Sequence, residues 1–102
     1  MDRAALEQLL TEGKDNSLLR YTLAGLCLKA GEAEAAVTHL EAGLSLDEGH
    51  SASWKLYGKA LVELGKREEA KKAYEKGIVV AESKGDIQAA KEMKVFLRRL
   101  QT

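Results

Sequence analysis

Apolar residues in this chain recur three or four positions apart and are interrupted by glycines and small polar clusters, the spacing of amphipathic helices and not of strands. Asp2 is placed to cap a first helix ending near Thr11, before Gly13, with Leu6, Leu9 and Leu10 as its stripe. Asn16-Ser17 opens a second that runs to about Lys29 and sets Leu19, Leu23, Leu26 and Cys27 on one face. Gly31 turns the chain, and a third over residues 33–46 returns with Ala36, Leu40 and Leu44. Residues 47–51 read as a turn. Helices over 54–64 and 67–81 repeat the hairpin, and Gly85-Asp86 starts a sixth that reaches about Leu100. Its stripe is Ile87, Ala90, Met93, Leu97 and Leu100. The connections are short, so neighbouring helices are expected antiparallel. The pattern predicts an all-α fold of six helices.

The chain also matches itself at a spacing of 34 residues. Laid over residues 51–84 without a gap, residues 17–50 bring Ala24 to Gly58, Cys27 to Leu61, Gly31 to Gly65 and Ala36 to Ala70. Leu40 then meets Tyr74, Gly43 meets Gly77 and Leu44 meets Ile78. Identities are few; the agreement lies in where small and large side chains sit. A fixed period of this length means an array in which each unit buries its apolar face against the next. Ala24, Ala36, Gly58 and Ala70 would permit close crossings within a unit, and Gly43 and Gly77 would admit a bulky group from the next. Trp54 reads as a wedge between units.

On these residues the chain resembles the tetratricopeptide repeat family. Trp54, Tyr57-Gly58, Leu61, Gly65, Ala70, Tyr74 and Gly77 carry the family pattern in the second unit. In the first, Leu23 supplies the expected leucine, while Arg20 stands in the tryptophan position and Leu40 in that of an aromatic. The proline that usually closes each unit is replaced by Glu48 and Glu82. The resemblance implies a right-handed solenoid of antiparallel helix pairs. Residues 1–16 would form a half repeat, 17–50 and 51–84 two full repeats, and 85–102 a capping helix. In strict phase Met93 and Phe96 would face the groove and Lys91 would point inward; a slip of about two residues fits the apolar spacing better. Lys91, Glu92, Lys94, Arg98 and Arg99 would then form the polar outer face of the cap.

Composition changes the picture in three ways. At 102 residues, 45% hydrophobic and 31% charged, the chain is a single globular domain and not a disordered one. Its apolar runs are shorter than the roughly 20 residues of a membrane span. The start, Met1-Asp2-Arg3, lacks the blocks of a signal peptide, and the lone Cys27 cannot form an internal disulfide, so the expected compartment is the cytoplasm. The formal charge of zero argues against bulk affinity for nucleic acid. That zero is unevenly distributed. Residues 1–50 hold four Lys/Arg and nine Asp/Glu, a balance of −5, and residues 51–102 hold twelve and seven, a balance of +5. The charges either coat solvated outer faces or form a dipole that favours an extended ligand or head-to-tail self-association.

Candidate chemistry is sparse. Cys27, His39 and His50 are the only soft ligands and none pair at close helical spacing, so no metal is expected. Cys27 occupies an apolar repeat position and reads as a buried thiol. The glycines are spaced as helix breakers and packing sites, not as a phosphate loop. No cofactor or catalysis is expected. By resemblance, the first helix of each unit lines a concave groove that takes a protein or peptide partner. Its candidate residues are Leu18, Tyr21, Gly25, Leu28 and Lys29 in the first unit. Those in the second are Ala52, Lys55, Lys59, Val62 and Glu63. Lys55 and Lys59, one turn apart, are placed to meet an acidic group. One subset of the family grips a C-terminal carboxylate with a Lys/Asn/Asn/Lys/Arg clamp; Tyr21, Gly25 and Leu56 depart from it. The reading is a non-catalytic adaptor, monomeric with room for weak self-association. The alternatives are a self-associating structural unit, or an accessory or co-chaperone-like domain of a larger complex.

Overall fold

The computed structural model describes residues 2–102; Met1, named above in the leader argument, lies outside the described residues. Six helices follow in order: α1 (Arg3–Thr11), α2 (Ser17–Lys29), α3 (Ala33–Leu46), α4 (Ser51–Glu63), α5 (Arg67–Ser83) and α6 (Ile87–Gln101). Three of them start on a side-chain cap. Asp2 accepts from the Ala5 N–H at 2.8 Å, Asn16 from the Leu19 N–H at 2.8 Å and Asp86 from the Ala89 N–H at 3.2 Å. The tight hairpin turns are closed by Gly31 and Gly65, at φ 77° and 74°, where a side chain would be strained. At each, the residue after the glycine reaches back: the Glu32 N–H to the Cys27 carbonyl and the Lys66 N–H to the Leu61 carbonyl.

α2 packs on α3 and α4 on α5, α3 and α4 join the two pairs, α1 lies against α2, and α6 lies against α5. The stack measures 42 × 29 × 20 Å. It is an all-α solenoid without strands among the described residues. Ala24, Cys27, Ala36, Leu40, Ala60, Leu61 and Ala70 form its centre, each at most 1% exposed. Leu6, Leu19 and Leu23 seal one end. Tyr74, Ala81, Ala89, Ala90 and Met93 seal the other. Trp54 packs against both the centre and the second end, and its indole N–H donates to the Glu48 carbonyl at 2.8 Å, in keeping with a wedge.

Several details differ from the expectation. α4 begins three residues before Trp54, because Ser51 and Ser53 are small enough to be buried at the helix start and are satisfied by Asp86 and His50. α5 runs on to Ser83. Gly43 admits α2 of its own hairpin: a Cβ there would lie 3.0 Å from Arg20 Cβ. Gly77 likewise faces Trp54 of its own hairpin, and also Met93 of α6. Ile87 is 65% exposed and stands outside the buried stripe. The slip in α6 is present. Its inward residues Ala89, Ala90, Met93 and Phe96 repeat Tyr57, Gly58, Leu61 and Leu64 after 32 residues instead of 34.

Candidate functional site

A groove with a cavity volume of about 510 Å³ opens where α2, α4 and α6 converge. α4 builds its long wall. Ala52, Lys55, Leu56, Lys59 and Val62 follow one another at helical spacing and all line it. Tyr21 enters from α2 and Tyr74 from beneath, on α5. Phe96, Arg99 and Leu100 of α6 form the facing wall. The Tyr74 ring is held by a close approach: a Cβ on Gly58 would lie 2.3 Å from its Cε1, so only glycine leaves it room. Phe96 then tilts against Tyr74 with centroids 5.7 Å apart. Burial pushes the Tyr74 phenol up to about 12, so it stays neutral in the floor.

The cations around this floor are not equivalent. Lys55 Nζ donates to Glu92 Oε1 at 2.7 Å, across the groove from α4 to α6. This hydrogen bond, with the ammonium charge behind it, holds the Glu92 carboxyl below the usual carboxylate range. Lys59 makes no ion pair among the described residues. Arg99 sits 5.9 Å from the Phe96 ring centroid and likewise has no carboxylate partner among the described residues. The groove thus joins an apolar floor to two cations whose charge is uncompensated.

The structure gathers Tyr21, Ala52, Lys55, Lys59 and Val62 of the expected residues into this groove. Leu28 packs half-buried against the central core instead. Leu18 is 62% exposed and lies outside the groove lining, as do Gly25 and Lys29. Glu63 turns toward a shallower depression at the α2–α3 turn, beside Gly31 and Glu32. Phe96, Arg99 and Leu100 were placed by sequence in a cap and belong to the wall. Glu92, read as outer surface, faces Lys55. Strict 34-residue phase had pointed Phe96 at the groove; that was the signal available.

The remaining polar candidates are structural in their contacts. Cys27 is fully buried, and desolvation pushes its thiol up. His39 Nδ1 lies 3.1 Å from Arg20 Nη1, and Arg20 in turn is held by Asp15 through two 2.8 Å hydrogen bonds. His50 Nδ1 lies 2.6 Å from Ser53 Oγ and its ring meets Tyr21 edge-on at 5.2 Å. Among the described residues no three His, Cys, Asp or Glu side chains converge as metal ligands. No helix is long and apolar enough to cross a membrane among the described residues.

Paired helices stacked in this way define a helical-repeat protein. A tetratricopeptide repeat profile matches residues 28–93. The TPR repeat-containing protein PA0015 of Pseudomonas aeruginosa is 47% identical over 95 residues, covering 93% of this chain and 90% of that protein. The solution structure of protein BPP2914 from Bordetella parapertussis superposes with a TM-score of 0.86 at 42% identity, over 99% of this chain and 88% of that one. A tetratricopeptide repeat domain protein from Salinibacter ruber gives 0.78 at 25% identity, over 83% and 96%. The chain belongs to the tetratricopeptide repeat family. Domains of this family generally mediate protein–protein interaction and are typically non-catalytic.

Proposed function

We propose that this protein is an adaptor that binds a segment of a partner protein in the α2–α4–α6 groove. The observation that carries the reading is the pairing of an apolar floor with the uncompensated cations Lys59 and Arg99. Such a site fits a segment that presents one bulky apolar side chain and, a few residues away, a carboxylate. Val62, Phe96 and Leu100 would cover the apolar group, and Lys59 and Arg99 the carboxylate. Lys55 is left to Glu92 and holds the two walls at a fixed spacing. The groove is short, so buried area falls at the low end of specific interfaces and affinity is expected to be micromolar, about −8 kcal/mol.

Selection from a random peptide display library tests this. Recovered peptides should share an acidic residue near a Leu, Ile or Phe, and should shift the amide signals of Tyr21, Lys59, Val62 and Phe96. Lys59→Glu with Arg99→Glu should weaken binding about tenfold or more and remove its salt dependence, with the helical spectrum unchanged. Peptides that map to the outer faces of α3 and α5, around His39, Lys71 and Lys72, would overturn the assignment.

A further inference from the structure

Two hydrogen bonds join α4 to α6 across the groove, and both lie toward the starts of these helices. Ser51 Oγ donates to Asp86 Oδ2 at 2.8 Å, and Lys55 Nζ donates to Glu92 Oε1 at 2.7 Å. Asp86 also caps α6 through the Ala89 N–H, and it lies close enough to feel the Lys55 charge. The Ser51 hydroxyl holds the Asp86 carboxyl below the usual carboxylate range, and Lys55 does the same for Glu92, so both are ionised at neutral pH. The part of the groove lined by Ala52 and Lys55 therefore sets one ammonium beside two carboxylates.

The other end of the groove has the opposite balance. Arg67, at the start of α5, donates to the Leu100 and Thr102 carbonyls, which brings the last turn of α6 to the end where α4 finishes. Lys59, one turn beyond Lys55, and Arg99 both line the groove and make no ion pair among the described residues. Val62 beside them is 42% exposed and offers apolar surface. An acidic group brought to Lys59 meets attraction alone. One brought to Lys55 meets the ammonium and Glu92 at similar distances, two terms of similar size and opposite sign.

We infer that Glu92 is a specificity-determining residue of the groove: it closes the Lys55 end to acidic groups and confines the carboxylate of the bound segment to the Lys59–Arg99 end. The inference rests on the groove being the binding site proposed above. Glu92 acts by repelling a second carboxylate as well as by occupying Lys55, and discrimination of this kind is a difference between what is attracted and what is turned away. Lys55 and Lys59 are about 6 Å apart along the axis of α4. Acidic residues two apart in an extended segment, at about 6.6 Å, or four apart in a helical one, at about 6 Å, span that distance. Segments with a single acidic residue are accepted, and their neutral part lies beside Ala52 and Lys55. Segments with two at these spacings gain nothing from the second.

The variant Glu92→Gln removes the charge and keeps the shape of a side chain that is 39% exposed. The probe is a peptide selected on the parent chain that carries one acidic residue, with derivatives in which a further Asp stands two or four positions to either side of it. Fluorescence anisotropy reads the affinity of each derivative relative to the one-acid peptide. On the parent chain no derivative should bind tighter. On Glu92→Gln at least one derivative should gain about three- to tenfold, and adding Lys55→Gln should remove the gain. A derivative that gains as much on the parent as on Glu92→Gln, a Glu92→Gln chain on which none gains, or a gain that survives Lys55→Gln would each overturn the role of Glu92 and leave the groove reading standing. Parent-selected peptides that already carry two acidic residues at these spacings would do the same. Selected peptides that shift no groove amide signals would overturn both.

Discussion

Three glycines show how differently one residue type is used in helices. Gly58 and Gly77 sit where a methyl group would collide, the first 2.3 Å from the Tyr74 ring and the second 2.7 Å from Trp54 Cβ. Gly25 sits in the same kind of helix with nothing near it. Gly58→Ala and Gly77→Ala should therefore each lose about 1–3 kcal/mol by overpacking. Gly25→Ala should gain about 0.5–1 kcal/mol, since only the entropy of the flexible chain is at stake. Urea titration of the three variants measures both signs. His39 gives a second residue-level expectation. Burial, with the Arg20 charge beside it, holds the imidazole below its ordinary 6.5, so the neutral form is favoured in the folded state. A group depressed on folding contributes fully above its unfolded pKa and loses that contribution as pH falls. The His39 share is complete above about pH 6.5 and declines on acidification. The depressed carboxyls of Asp15, Glu32, Asp86 and Glu92 act lower, below their ordinary 3.8–4.5. The melting temperature should thus fall in two stages from pH 7 to pH 3, and His39→Gln should remove the first. A profile identical in parent and variant would contradict this assignment.

At the scale of the element, α6 has two roles that compete for its sequence. Its inner residues Ala89, Ala90 and Met93 cover Tyr74 and Ala81, which would otherwise form an exposed apolar end. Its groove side supplies Phe96, Arg99 and Leu100. Arg67 fastens the far end of the helix by donating to the Leu100 carbonyl and, at 3.2 Å, to that of Thr102. Removing residues 86–102 should expose the Tyr74 end and produce dye binding and aggregation, readable by light scattering. A truncated chain that stays monomeric and equally stable would show that α6 is dispensable to the core. The starts and ends of α1, α2 and α3 were legible residue by residue, since Asp2, Asn16 and Gly31 act through bonds local to the chain. The start of α4 was not. Ser51 and Ser53 are not apolar, and what buries them is contact with Asp86 and His50, one of which lies 35 residues away.

For the whole molecule, the two larger core clusters meet at Trp54, so the stack is expected to lose its structure as one unit. Unfolding followed by Trp54 fluorescence and by helical signal should give coincident midpoints; separated transitions would mean that the end built on Tyr74 melts independently. The 34-residue recurrence of small and large residues was enough, by itself, to determine a stacked all-helical architecture, because helix periodicity and glycine stops are written in neighbouring positions. The family resemblance also pointed to Tyr21, Ala52, Lys55, Lys59 and Val62 as groove residues, and the last four share one face of α4 because they stand three and four apart. Which of them keep a free charge was decided by the tertiary structure alone. Lys55 and Lys59 are one turn apart and alike in sequence, yet α6 brings Glu92 within 2.7 Å of the first and leaves the second open. The seating of α6 on α5 and α4 made Phe96 and Arg99, expected in a cap, part of the groove wall. In that seating Met93 lies against Gly77, a contact between distant positions that no local pattern encodes.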